Sequence, residues 1–262
     1  MTECRAARRP GLQTLHEHRR PGRLLPVAPR GAPWAGALLA GLLATAAQAD
    51  EPAFKLTAGH YDYGGYAGQD LNLRWRGEDR EAWVGLYHDP QFGSQARAGA
   101  DASINLTGWA QLQPSLQLAS RGFVGGSVNL QLGTRWYGLL GWGRTNLKPY
   151  YNLNFDPNDA ITVGLGWHED DGRGLQLFVV ADDRLHTGQR DTHALLRWPL
   201  AEGQRLTLDL MHKRGQGDGG PVRAWGWSAT WDWPRWFLRL ARDPKQNFST
   251  DDATRFSAGL RF

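Results

Sequence analysis

Arginine recurs at alternate positions in the last two hundred residues, a spacing that sets guanidinium groups side by side on one face of a strand. Arg74, Arg76, Arg97, Arg135, Arg197, Arg205, Arg235, Arg239, Arg255 and Arg261 all fall on the polar side of such an alternation, together with Lys55, Lys148 and Lys213. The acids expected on that side are Asp101, Asp156, Asp182, Asp191, Asp209 and Asp243, so cations predominate. Guanidinium forks hold carboxylates and phosphates through paired hydrogen bonds. A wall of them that encloses water lowers the entry barrier for anions and raises it for cations. Arg74, Arg76, Arg235, Arg239, Arg255 and Arg261 are expected to cluster, because the first and last strands of a closed sheet are neighbours.

A second group points to different chemistry. His193 and Asp209 share the polar side of neighbouring segments, with Asp191 two residues from the histidine. That is the pairing of a general base with an orienting carboxylate. No serine lies nearby, so such a site would have to activate water. No H-x-x-x-H or comparable spacing provides a metal site, and Cys4 is the only cysteine. Neither a metal nor any other cofactor is expected.

The elements that must position these side chains show a period of two almost everywhere after Asp50, the mark of strands with one apolar face. In Ala96–Leu106 every even position is apolar; Leu206, Leu208 and Leu210 alternate with Arg205, Thr207 and Asp209. Turn residues such as Gly77-Glu78-Asp79 and Asp170-Asp171-Gly172 separate the segments. Strands are expected near 53–63, 69–77, 81–89, 95–106, 109–120, 124–142, 146–156, 160–169, 173–182, 190–199, 204–214, 222–233, 235–243 and 254–262. That makes fourteen if 124–142 is one long strand, and twelve is the alternative. Most are as long as the ~9–11 residues a tilted strand needs to cross a bilayer. The expected fold class is therefore all-β: a transmembrane, antiparallel, up-and-down β-barrel, apolar side to lipid and polar side to the lumen.

Tyr61, Tyr63, Trp75, Tyr87, Trp109, Tyr150, Trp167, Trp198, Trp233 and Trp236 sit towards segment ends, where interfacial girdles belong. The connections alternate between longer ones, such as 183–189, 215–221 and 244–253, and tight ones such as 107–108 and 233–234. Loops this short argue against a folded plug.

The chain has 262 residues, of which 41% are hydrophobic and 21% charged. A helical membrane protein needs repeated apolar runs of ~20 residues, and only residues 31–49 offer one. That run follows a stretch carrying seven arginines against Glu3 and Glu17, and it ends in Ala47-Gln48-Ala49. It reads as a secretory signal cut between Ala49 and Asp50, with translation starting near Val27. Residues 1–49 are thus expected to be removed and 50–262 to form the barrel. The net charge of +4 arises in the leader, so it supports no nucleic-acid partner.

The chain closes on Phe256-Ser257-Ala258-Gly259-Leu260-Arg261-Phe262. This alternation ending in phenylalanine resembles the last strand of Gram-negative outer-membrane β-barrels, which the barrel-assembly machinery reads. The resemblance implies residence in the outer membrane among its lipids. In length, strand number and C-terminus the chain is similar to small, monomeric, arginine-lined channels for acidic oligosaccharides. That likeness implies a porin passing small anionic solutes. The alternatives are a barrel enzyme acting on lipid or lipid A through His193, and a closed structural barrel.

Overall fold

The computed structural model describes residues 52–201 and 203–262; the expected leader and its cleavage site lie outside the described residues. Fifteen β-segments, two of them halves of one strand, make fourteen strands. They are β1 (Phe54–Asp62), β2 (Ala67–Arg76), β3 (Arg80–Asp89), β4 (Gly93–Ala102, continued by Ile104–Thr107), β5 (Ala110–Ala119), β6 (Phe123–Gly133) and β7 (Trp136–Thr145). Then follow β8 (Ala160–His168), β9 (Gly174–Asp182), β10 (Arg190–Ala201), β11 (Gln204–Gly217), β12 (Gly220–Asp232), β13 (Trp236–Asp243) and β14 (Ala253–Arg261). Each pairs antiparallel with the next, and β1 pairs with β14 from Lys55↔Arg261 to Asp62↔Thr254, closing the barrel.

The break in β4 has a covalent cause. The register is the same on both sides of it, Asp101↔Ser115 before and Ile104↔Leu112 after. Between them β5 carries Pro114, which has no N–H to give the ladder. The Ser103 amide turns away and donates to the Asp79 carbonyl at 2.7 Å.

Two expectations fail in compensating ways. Residues 124–142 are not one strand but β6 and β7, joined at Gly133, whose φ of +121° no side chain adopts easily. A single strand there would run to about 60 Å at ~3.3 Å per residue, twice the ~30 Å of a hydrocarbon core. Residues 146–156, expected as a strand, are a loop; β7 pairs directly with β8, and Leu147 and Phe155 hold positive φ of 58° and 70°. The expected loop at 215–221 is instead mostly ladder, with Gly215↔Val222, Gln216↔Pro221 and Gly217↔Gly220 paired. There β11 and β12 extend as a long hairpin.

The barrel is inside-out. Leu86, Trp136 and Leu165 on the outer wall are 62%, 71% and 69% exposed, and almost every outward position in mid-strand is apolar. The fully buried side chains include Asp89, Gln95, Asp191 and Lys213, all pointing inward. A water-soluble sheet protein would reverse this, since apolar patches of that extent are not left in water. No helix among the described residues is long and apolar enough to cross a membrane; the strands provide the spanning surface.

Leu177, in the middle of the outer face of β9, is 54% exposed. Leu177→Arg should weaken folding into lipid vesicles by about 2–4 kcal/mol, the cost of a cation at bilayer depth. Urea titration of vesicle-refolded protein checks this; Gln113→Arg, on the inner face, should stay near the parent.

Candidate functional site

Residues 146–159 connect β7 to β8 at the end opposite the chain termini, and they fold into the barrel rather than away from it. Gln95, inward on β4, fixes the loop from one side: its Nε2 donates to the Tyr151 carbonyl at 3.1 Å and its Oε1 accepts from the Tyr151 amide at 2.9 Å. The Tyr151 ring stacks on Tyr87 of β3 with centroids 4.6 Å apart, and Tyr150 stacks on Phe123 of β6 at 4.1 Å. Gln117 donates to the Tyr150 hydroxyl. From the other side, Asn247 donates to the Asn152 carbonyl at 2.8 Å. Leu153 and Phe155 are buried with Tyr61, Tyr63 and Tyr87 in an apolar cluster of the interior. Contrary to the expectation of loops too short to plug the barrel, this loop partly fills the lumen.

The same cluster corrects the aromatic girdle. Tyr61, Tyr63, Tyr87 and Tyr150 do not face lipid; they turn inward and pack around the loop. Their odd positions on β1 and β3 were the signal, since Leu56, Ala58, Val84 and Leu86 on the same strands are the outward set. Tyr63 and Tyr87 share a hydroxyl–hydroxyl hydrogen bond of 2.9 Å, and Tyr66 donates to Asp251 at 2.8 Å. Trp75, Trp109, Trp198 and Trp236 are exposed on the outer face near the end that carries the termini. There Trp233 stacks between Trp231 and Trp236, at 4.5 and 3.7 Å.

Below the loop lies a cavity of about 540 Å³ that holds eight of the thirteen cationic residues expected on the polar side. Lys55, Arg74, Arg76, Arg97, Arg205, Arg239, Arg255 and Arg261 line it, against Asp70, Asp101 and Asp232. Five of the six arginines expected to cluster are therefore together, brought into reach by the β1–β14 closure. Arg235 is not among them: it lies in the turn before β13, where its carbonyl accepts from Arg261. Arg135 sits in the β6–β7 turn and pairs with Glu169, and Arg197 of β10 is exposed outside this cavity.

Acids neutralise part of this wall. Glu81 takes both Arg74 and Arg76, Asp70 takes Arg97 at 3.0 Å, and Asp232 takes Arg261 with Arg205 at 3.7 Å. Three cations have no carboxylate within ion-pair distance among the described residues. Lys55 lies over the Phe237 ring at 4.0 Å. Arg239 reaches only Ser228, at 3.3 Å, and Arg255 donates to Ser257 at 3.0 Å and lies over Tyr61. Arg239 and Arg255 also line the small space behind Leu153, Asn154 and Phe155. They therefore stand where the loop narrows the lumen.

His193, Asp209 and Asp191 are all inward, as their positions imply, but the histidine is fully engaged. Its Nδ1 lies 3.1 Å from both oxygens of Asp209, and its Nε2 lies 3.1 Å from Asp156 of the loop. Neither ring nitrogen is left to take a proton from water. The group acts as a clasp tying the loop to β10 and β11. Asp191 is fully buried two residues away, opposite Lys213 in the β10–β11 ladder. Lys213 donates to Asp243 at 2.8 Å. Asp156 was expected on a strand; its place in the loop is what makes the clasp.

No protein-family model matches the sequence, and no curated protein matches it. Among solved structures the chain is similar to the Acinetobacter baumannii outer membrane protein Omp33, with 9% identity and a TM-score of 0.52 over 82% of this chain and 100% of that one. The fold is that of the outer-membrane β-barrels. It is also similar to the KdgM porin (9% identity, TM-score 0.46, 79% of this chain and 99% of that one). For the NanC porin the values are 10% identity and a TM-score of 0.43, over 80% of this chain and 99% of that one. At these identities the likeness is one of fold.

Two outcomes follow for the loop. Gln95→Ala removes both hydrogen bonds to Tyr151, each worth about 1 kcal/mol net, so hydrogen exchange at residues 150–153 should rise several-fold while the strands stay protected. Asp159, at the end of the loop, is penalised by burial, yet Thr145 and Arg184 hold its carboxyl below the ordinary 3.8. A depressed carboxyl contributes stability above its usual value and loses it only as the pH falls through the lower one. Exchange at the Thr145 amide, which donates to Asp159, should therefore remain slow at pH 4 and quicken only below it.

Proposed function

We propose that the protein is a porin of the Gram-negative outer membrane whose lumen passes small anionic solutes such as acidic sugars. The observation that carries this reading is the cationic cavity below the loop, eight basic residues against three aspartates. Glu81 relieves part of the imbalance, but Lys55, Arg239 and Arg255 have no carboxylate partner among the described residues. Low-dielectric walls focus that field on whatever crosses the narrowing beside Asn154 and Phe155. An acidic sugar offers a carboxylate to the guanidinium forks of Arg239 and Arg255, which the cavity's own aspartates do not pair, and hydroxyls to Asn154, Gln117 and Ser257.

In this reading the chain works as a monomer, because the charged wall is completed within one barrel by the β1–β14 closure. The strand ending at Phe262, whose ring stacks on Phe54 at 5.9 Å, is the segment offered to the barrel-assembly machinery after export.

The double variant Arg239→Ser/Arg255→Ser should lower the anion-over-cation permeability ratio by at least about twofold, because it removes the two free charges at the narrowing. Reversal potentials in planar bilayers under a salt gradient measure this. An unchanged ratio would refute the reading, and liposome swelling with sugars of different charge gives the same comparison for solutes.

A further inference from the structure

Three arginines that the lumen does not use stand in a line on the outside of the barrel. Arg190 of β10 pairs with Arg214 of β11, and Arg214 pairs with Arg223 of β12, so their backbones lie level across three adjacent strands. Their direction follows from their neighbours. Asp191 and His193, Met211 and Lys213, and Gly226 are buried inward positions on the three strands. The intervening residues Ala194, Leu210, Trp225 and Trp227 belong to the outer face, and the arginines alternate with the same phase. Arg214 and Arg223 are exposed, and Arg190 is half-buried.

Their height is set by what lies beneath. The next outward row is Thr192, His212 and Trp225, in which the His212 ring packs against Trp225 at 4.7 Å and the indole is 62% exposed. Below that come Ala194, Leu210 and Trp227, then Leu196, Leu208 and Ala229. Tryptophan marks the bilayer interface. Two residues along a strand is about 7 Å, so the arginines stand one headgroup above the hydrocarbon.

Their charges are unmatched among the described residues. Other arginines at this loop-bearing end have partners: Arg144 holds Asp183 through two hydrogen bonds of 2.7 and 2.6 Å, Arg184 holds Asp159 at 2.8 Å, and Arg242 holds Asp252 at 3.0 Å. Arg190, Arg214 and Arg223 have no carboxylate within ion-pair distance among the described residues, and the buried Nε of Arg190 has no hydrogen-bond partner. Like charges directly opposite across a sheet are unfavourable unless an anion lies between them.

We propose that Arg190, Arg214 and Arg223 dock the phosphate groups of anionic lipids in the leaflet around this rim. Acyl chains lie over Leu208, Leu210 and Trp227, and the headgroup phosphate then falls within reach of neighbouring guanidinium forks, the geometry suited to bidentate contacts. The site rests on the barrel spanning a bilayer and is independent of what the lumen passes.

The test is native mass spectrometry of the detergent-purified chain mixed with diphosphorylated lipid A, or with the same lipid lacking phosphate. Arg190→Gln/Arg214→Gln/Arg223→Gln should retain about tenfold less of the phosphorylated lipid, as expected for losing several charge-assisted contacts. Arg173→Gln, in the β8–β9 turn at the opposite rim, should retain as much as the parent. Unaltered heat-modifiable gel mobility and an unaltered anion preference in bilayers would show that the triple variant is folded and the lumen intact. Equal retention by the triple variant, equal binding of the phosphate-free lipid, or displacement by millimolar inorganic phosphate would each overturn the proposal. The last would mark a free-anion site instead.

Discussion

A backbone amide in hydrocarbon has no water to bond, so every N–H and C=O in the spanning wall needs a partner inside the protein. The ladder between β1 and β14 meets that demand for the two strands that would otherwise be edges. It also does the chemical work of assembly. Lys55, Arg74, Arg76, Arg239, Arg255 and Arg261 are remote in sequence and come to line one cavity because the first two and last two strands close on each other. A barrel left open at this seam would lose the cationic wall together with its backbone pairing.

Closure creates a lumen that side chains alone do not fill. Eight-stranded barrels are plugged by their own side chains, and sixteen or more leave an aqueous channel. Fourteen strands leave an interior that a single inward loop narrows. The tyrosines on β1 and β3, with Gln95 and Gln117 on β4 and β5, give that loop an apolar seat and defined hydrogen bonds. His193 clasps it from the opposite wall through Asp156. The carboxylates that would have made His193 a base are the ones that hold it still, and so a group with catalytic composition becomes an anchor.

Period two makes most of this legible in the sequence. It gave the fold class and the inward phase of the arginines that line the cavity, because a strand has only two faces and lipid requires one of them to be apolar. The strand number came out at fourteen only because the false strand at 146–156 offset the missed division of 124–142. The period failed where the pattern continued without the geometry. Val128, Leu130, Leu132, Trp136, Leu140 and Trp142 alternate without interruption across the Gly133 turn, because the strands on either side keep the same phase. Residues 146–156 look like a strand for a different reason. Tyr151, Leu153 and Phe155 alternate with Asn152 and Asn154, but they bury against other side chains rather than against lipid. No local property separates those cases; bilayer thickness and the contact partners do.

The placement of arginine shows how the two faces divide one kind of charge. Near the terminal end, Arg205 of β11 points inward and joins the cavity wall. On the same strand at the far end, Arg214 points outward, and Lys213 beside it is buried against Asp243. A shift of one residue exchanges lumen for lipid surface, so position along the strand and parity together decide which medium each guanidinium meets. Inside, neighbouring acids and the narrowing loop temper the excess. Outside, above Trp225 and the leucine rows, no acid among the described residues does so, and in the proposed site the counter-charge comes from the membrane.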